Sequence, residues 1–457
     1  MSANTGIVTY GGYSNEVSQY YYSAIAQNPA TLQPENTRYC FISKVDPWPN
    51  ESAPPIPSLS EQNIKTVFKN MIAIKRVLPA DMRPLADRFD WTLGQTYGQY
   101  QDNINLFDRD GSGVLLNKFY AKNKYDQVFK CLWNNNGGAV SDEPHFLPGQ
   151  MSSTNVFTGA DGYKWVYLYT IEGITKQNFL DSKWLPLPTA NYPGLGTTSV
   201  NSGNIPIVGV IDGGANYYQS NTVVNIIGTH ITPAKATAVV SGGIITDIIV
   251  TDPGSGYISA TIQIVSSTGT GANAIVYVSP INGHGSDPFQ ELGCRNMMVT
   301  QTFTGNEGGI IPTDIKYRQL GFIVNPVSKT SYPYQCQQEI YSLTTDIIVT
   351  TGTGSDGYIS DEVVFQSIDN TLANASFTAT CLSFGSSNNL VKLINTSGTA
   401  NANQLLIGDT SETIRTVLFV SPSDVIPYSG YITYIENRQG IQRSVDGTEQ
   451  VRLIVEF

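Results

Sequence analysis

Charge is scarce in this chain: only 14% of its 457 residues are Asp, Glu, Lys or Arg, against the roughly 25% usual for a globular protein. No basic run interrupts a formal net charge of −11, so the attraction that draws proteins to phosphate backbones is missing and nucleic acid is not an expected partner. Histidine is nearly absent, with only His145, His230 and His284, far apart. The five cysteines (Cys40, Cys131, Cys294, Cys336, Cys381) are scattered, odd in number and never spaced as Cys-x-x-Cys, which argues for buried thiols in a reducing compartment over a disulfide framework or zinc site. No stretch approaches 18 apolar residues and the N-terminus lacks a basic-then-apolar leader, so neither a membrane span nor a signal peptide is expected.

Gly, Asn, Ser, Thr and Tyr are abundant instead, and short β-branched or alternating runs are punctuated by Gly and Asp-Gly turns. This pattern predicts a mainly β protein. The helix signals are few. One spans Ser14 to Asn28 and stops at Pro29; another begins at Ser58, with Glu61 completing a capping box and Ile64, Val67, Phe68 and Met71 on one face. Between them, "DPWPNESAPPIP" (Asp46 to Pro57) carries too many prolines for a sheet interior and reads as an extended arm; Pro47, Trp48, Pro49, Pro54, Pro55 and Pro57 are candidates for contact with a neighbour.

"NLFDRDGSGVLLNKFY" (105–120) places Asp108, Asp110, Ser112 and Gly113 where a calcium loop of the EF-hand type begins. Its twelfth position is Phe119 instead of Glu, and the flanks read as strands, through Leu106–Phe107, Val114 to Lys122 and Tyr125 to Trp133. Asp110-Gly111 therefore reads as a hairpin turn.

An internal repeat follows. "VGVIDGGANYYQSNTVVNIIG" (208–228) and "IIVTDPGSGYISATIQIVSS" (248–267) superpose Asp212 on Asp252, Gly214 on Gly254 and Tyr217 on Tyr257, 40 residues apart. Each is followed by an Ala-x-Ala strand, Ala236 to Val240 and Ala272 to Val276, which suggests a small two-lobed β insert. A second insert, about 346–420, shows some five strands at small-barrel spacing. The expected organisation is an N-terminal helix and arm (1–60), a layered β-sandwich core (61–200, 281–345 and 421–457) and two inserted β modules (201–280 and 346–420).

Chemistry is hard to find. "GTGSDG" (352–357) and "GTGANA" (269–274) fit or approach a dinucleotide fingerprint but lead into strands, so no helix N-terminus would receive a pyrophosphate. Phosphate loops, His-Glu-x-x-His and nucleophile elbows are absent. His284 in "GHGSDPFQELG" is expected to pair with Asp287 or Glu291 and, because glycines flank it, is with Tyr217 and Tyr257 also a candidate for contact with a neighbouring chain. Glu436, Asp446 and Glu449, near Arg438 and Arg443, have the residue types of a glycosidase pair but read more simply as hairpin salt bridges. Trp48, Trp91 and Trp133 read as core or interface. No cofactor, metal or small-molecule substrate is indicated.

Five stretches in order, "RYCFISKVDPWPNESAPPIP", "NKFYAKNKYDQVFKCLWNNNGGAVSDEP", "FTGADGYKWVYLYTI", "NGHGSDPFQELGCRNMMVTQTFTGNEGG" and "DIKYRQLGFIVNP", with the ending "YIENRQGIQRSVDGTEQVRLIVEF", resemble the baseplate wedge family (gene product 8 type) of T4-like contractile-tailed phages, in its longer form from phages of cyanobacteria and marine bacteria. That resemblance implies a layered β-sandwich, a homodimer, contacts with other wedge and tail proteins, residence in the virion baseplate after assembly in the host cytoplasm, and no catalysis. The repeat and the second insert are elaborations on the shorter form. Two other readings remain open here: a receptor- or glycan-binding virion module with Tyr217 and Tyr257 as its aromatic platform, and a glycan hydrolase using carboxylates.

Overall fold

The computed structural model describes residues 37–58, 60–150, 155–189, 202–330, 332–352 and 357–456. The expected helix at Ser14 to Asn28 lies outside them. The described residues are mainly β, in several antiparallel sheets with three α-helices. The described residues divide into two compact units: those within Arg83–Met298 together with 455–456, and those within Val299–Ile454 together with 37–82. Segments 61–200 and 281–345, expected as one continuous core, contribute to both.

In the first unit, strands Tyr120–Lys122, Gln127–Trp133, Lys164–Thr170 and Val156–Thr158 form an antiparallel sheet in that order. Gln127–Trp133 is buried on both faces, so its sequence is apolar almost throughout. Val128 and Leu132 enter one cluster with Phe119, Leu168 and Leu292, whereas Phe129 and Cys131 enter another with Tyr97, Tyr163 and Trp165. Lys130 lies two residues from both Val128 and Leu132, on their face of the strand, and is carried by strand periodicity into the first cluster.

The Asp110 turn is present: its Oδ1 accepts from Ser112 N (2.8 Å) and Val114 N (3.0 Å), and Gly113 N bonds to Asp110 O. The carboxylate is therefore committed to the turn's own amides. The expected flanking strands shrink to a single bridge, Arg109 with Leu115, and Leu106–Phe107 is a turn. Regular pairing starts only at Tyr120.

The repeat is more interwoven than a two-lobed insert. The second strands of the two copies, Thr222–Ile227 and Thr261–Ser266, pair with each other, and Val224 faces Ile264, its own equivalent (264 − 224 = 40). A pseudo-two-fold axis passes through that pair. Consistently, Gly209–Asp212 of the first copy pairs with Asn273–Ile275 of the second, and Ile244–Asp252 of the second with Lys235–Ser241 of the first. Val210 opposite Ala274 repeats Val250 opposite Ala236, so the third strands align Ala236 with Ala274, two residues from the alignment read in the sequence. Asp212 and Asp252 each accept from the amide two residues on, Gly214 (2.9 Å) and Gly254 (3.1 Å). Tyr217 OH accepts from Ala272 N and Tyr257 OH from Ala234 N, each tyrosine reaching into the other copy. Both rings are in the shared core, 4% and 3% exposed, which overturns their reading as an exposed aromatic platform. They satisfy buried amides and fill the module.

In the second unit, strands run Ile340–Ser342, Met71–Arg76, Arg38–Ser43, Lys316–Val324 and Tyr431–Gln442 across one antiparallel sheet. Helix Glu61–Asn70 precedes it, with Val67 buried. Its cap is Ser60, whose hydroxyl accepts from Asn63 N, while Ser58 braces the turn before it by accepting from Ser60 N. Met71 begins the following strand and is not part of the helix.

The second insert closes into a barrel of six strands: Thr345–Val349, Val363–Gln366, Phe377–Gly385, Leu390–Gly398, Leu405–Gly408 and Ile414–Ser421. The first pairs with the fourth and the last, which completes the ring around Ile347, Val364, Phe377, Cys381, Leu393, Leu406 and Val417. In "GTGSDG" residues 353–356 lie outside the described residues, and the regular strand starts at Val363, after a coil. "GTGANA" runs into Asn273–Ile275 as read.

Candidate functional site

Two places gather the residues singled out in the sequence, one in each unit.

In the first unit, Lys130 Nζ lies 2.9 Å from Glu291 Oε2, with side chains 1% and 4% exposed. Glu291 closes the short helix Pro288–Glu291, which Asp287 starts by accepting from Phe289 N and Gln290 N. Of the two expected partners of His284, Asp287 is thus used as a cap and Glu291 is the neighbour, and the imidazole, 4% exposed and packed on Tyr100, is enclosed within its unit instead of standing out for the expected contact with a neighbouring chain. His284 Nδ1 sits 3.5 Å from Glu291 Oε2, beyond ordinary hydrogen-bond distance, so among the described residues this buried nitrogen has no hydrogen-bond partner. The other carboxylate oxygen accepts from Gly285 N at 2.5 Å. Tyr100 covers the group: Lys130 Nζ is 4.2 Å from its ring centre, and its edge meets the His284 ring at 4.8 Å and 88°. Its hydroxyl is fixed on Val278 O at 2.9 Å.

Burial pushes the His284 pKa down to about 4, and the Lys130 charge adds to this. Burial alone would raise Glu291, but Lys130 and His284 together outweigh it and hold the carboxyl at about 2. Burial also lowers Lys130. A histidine whose folded pKa is depressed contributes nothing adverse above its ordinary value of 6.5 and an increasing penalty as pH falls from there towards 4. The first unit is therefore expected to lose stability on the order of 3 kcal/mol as pH falls from 6.5 to 4 through this group. Urea titrations at pH 7 and 4.5 check it: His284→Gln should flatten the difference, and an unchanged difference would assign the acid sensitivity elsewhere. The other histidines bond locally, His145 Nδ1 to Glu143 O and His230 Nδ1 to Gly228 O.

In the second unit, the proline-rich arm lies along strand Tyr431–Gln442 of its own chain. Opposite Arg318 that strand bulges, since Tyr317 pairs with Ile441 but Gln319 with Asn437. A bulge leaves backbone groups without ladder partners, and the arm supplies them. Trp48 Nε1 donates to Arg438 O (2.7 Å), Gly440 N donates to Glu51 Oε2 (2.8 Å) and Asn437 Nδ2 donates to Pro55 O (2.8 Å). Glu51 Oε1 also receives Arg318 Nε at 2.7 Å. The Gly440 amide, then Arg318, hold the Glu51 carboxyl below its ordinary pKa against some desolvation. Pro47, Pro49 and Pro55 face outward, Pro54 and Pro57 are half-buried, and Ile56 is 93% exposed. Glu51→Ala should leave Gly440 N without an acceptor, so its amide exchange is expected to rise on the order of tenfold while the rest of the strand stays protected. Unchanged exchange there would show that the arm does not hold the bulge.

Of the three carboxylates considered for hydrolysis, Asp446 is exposed and the other two are pinned. Glu449 is bonded by Arg443, a fully buried guanidinium, at 3.2 Å, and Glu436 is held by Arg438 Nε (2.6 Å) and Tyr434 OH (3.0 Å). Their neighbourhood includes a cleft of about 250 Å³ lined by Tyr317, Arg438, Glu449 and Arg452. Among the described residues no group of three His, Cys, Asp or Glu side chains is arranged to hold a metal ion. Trp133 is buried against Gly209, and Trp91 joins the core around Trp165.

The Lys130–Glu291 pair was missed in the sequence, although a lysine at an inward position of an apolar strand is a readable signal. No protein-family model matches the chain, and no curated protein matches it at a significant level.

Proposed function

We propose that this chain is a non-catalytic structural subunit of the baseplate wedge of a contractile phage tail, working as a homodimer that packs against other wedge proteins. The resemblance of the five sequence stretches and the ending motivates the family. The observation that carries the mode of action is an apolar patch on the outside of the barrel. Ile348 stands opposite Phe419 in the ladder, and Leu418 is pushed out beside it by a bulge. These side chains are 39%, 59% and 55% exposed, and exposed clusters of this kind mark protein contacts. Lys130, Glu291, Glu51, Arg318, Glu436, Arg438, Arg443 and Glu449 are engaged within the chain, which suits a scaffold better than a reactive cleft. In this reading the proline arm presents a second surface, and the β units move as rigid bodies when the tail contracts.

The test is incorporation. Phe419→Asp should fold normally, because the ring is outside the barrel core, and should reduce entry into assembled baseplates at least about tenfold, as loss of an aromatic anchor does. Sedimentation of the purified chain should give a dimer. A monomer absent from imaged tails would overturn the proposal.

A further inference from the structure

The Lys130 cluster has more order than an ion pair requires. A primary amine touches a carboxylate inside an apolar cluster. One carboxylate oxygen is held by a backbone N–H, and an imidazole nitrogen without a close partner lies beside the other. Those are the components of acyl transfer: a nucleophile, an electrophile polarised by an amide donor, a proton carrier and exclusion of water.

We propose that Lys130 Nζ and Glu291 Cδ join as an intramolecular amide, with Gly285 N–H stabilising the oxyanion and His284 carrying the proton. The ion pair is the precursor. The Lys130 ammonium passes one proton to Glu291 Oε2, leaving a neutral amine and a carboxylic acid. The nitrogen lone pair attacks Cδ, and the electron pair of the C–Oε1 double bond moves onto Oε1, which Gly285 N holds. A second nitrogen proton moves by way of His284 Nδ1 to Oε2, the C–Oε2 bond breaks, and water leaves as the carbonyl reforms. One C–N bond replaces one C–O bond, one water is released, and no oxidant, reductant or other reactant is needed.

The surroundings favour this outcome on three counts. Burial makes the charged pair costly, and loss of water removes both charges. The Tyr100 ring, anchored by its own hydroxyl, keeps the amine from leaving the carboxylate. The link would join strand Gln127–Trp133 to a segment 161 residues away, constraining the unfolded chain as a disulfide does in a protein whose five cysteines are all free.

Intact-mass measurement of the full chain, produced in soluble form and then denatured, reads the bond directly. The expected mass is one water below that of the sequence, with a protease digest yielding a branched peptide joining Lys130 to Glu291. Lys130→Arg, which keeps the positive charge but cannot form the amide, should have its full sequence mass. His284→Gln should fold yet lose water at least ten times more slowly during incubation. A wild-type mass equal to the sequence overturns the proposal, as does water loss persisting in Lys130→Arg; a His284→Gln chain that matures at the wild-type rate overturns the role given to the imidazole.

Discussion

Replacing Glu291 with leucine is expected to destabilise the Arg83–Met298 unit by about 3–5 kcal/mol, the cost of stranding a buried charge. Lys130 is 1% exposed, and among the described residues its neighbours beyond Glu291 are the Tyr100 ring and the His284 imidazole, neither of which carries a negative charge, so its ammonium must either stay unpaired or lose its proton. Gly285 N loses its acceptor in the same step. The double replacement Lys130→Met with Glu291→Leu removes the charge together with its partner, so the part of the loss that comes from the stranded charge should return because methionine fills a similar volume, whereas the stabilisation from an amide link should not. Tryptophan fluorescence during urea unfolding is a suitable readout, since Trp91, Trp133, Trp165 and Trp184 all belong to this unit. If the single and double variants are equally unstable, the pair is not what matters at this position.

Gly214→Ala and Gly254→Ala should be about equally damaging, each by some 3 kcal/mol or more, because a left-handed backbone and a backbone clash act together. The two φ angles are +63° and +62°. A Cβ at Gly214 would stand 2.5 Å from Ala272 N and Thr270 O, and one at Gly254 would stand 2.6 Å from Ala234 N and Thr232 O. These neighbours are main-chain atoms of the other copy, so no side chain can swing away. Asparagine tolerates the left-handed region but still carries a Cβ, and Gly254→Asn should therefore fail nearly as badly as alanine. Gly242, with φ of +61° and open space around it, is the control: Gly242→Asn should be close to neutral. Thermal unfolding of the four variants checks the set, and a large difference between the Gly214 and Gly254 variants would break the two-fold equivalence.

Much of the local structure was legible because it follows from a few neighbouring residues. Asp110-Gly111 reads as a turn since the carboxylate has its own amides within reach, and Phe119 at the twelfth position already argued against a calcium loop. The helix after Ser58 was visible from its periodicity, although the cap proved to be Ser60, one of two serines that could have served. Strand spacing between 346 and 420 predicts a barrel of some five strands, and the structure has six, the last being Ile414–Ser421.

The 40-residue repeat shows where legibility ended. Its period was plain, and so was the equivalence of Asp212 with Asp252 and Tyr217 with Tyr257. Whether each copy folds on itself or exchanges strands with the other leaves no trace in a period, since both arrangements use the same strands at the same spacing. The exchange put the tyrosines in the core, where an isolated reading had allowed them to be a surface.

The residues alone decided the β character, the turns, the repeat and the lack of any familiar catalytic motif, because those depend on side-chain period and on backbone preferences over a few positions. Tertiary structure decided which strand of one repeat meets which of the other, that the proline arm lies on the bulge opposite Arg318, and that Lys130 finds a carboxylate 161 residues away. Such pairings are chosen by the burial of whole faces and by the need to satisfy every enclosed charge and amide, and neither condition can be evaluated until the chain has closed around it.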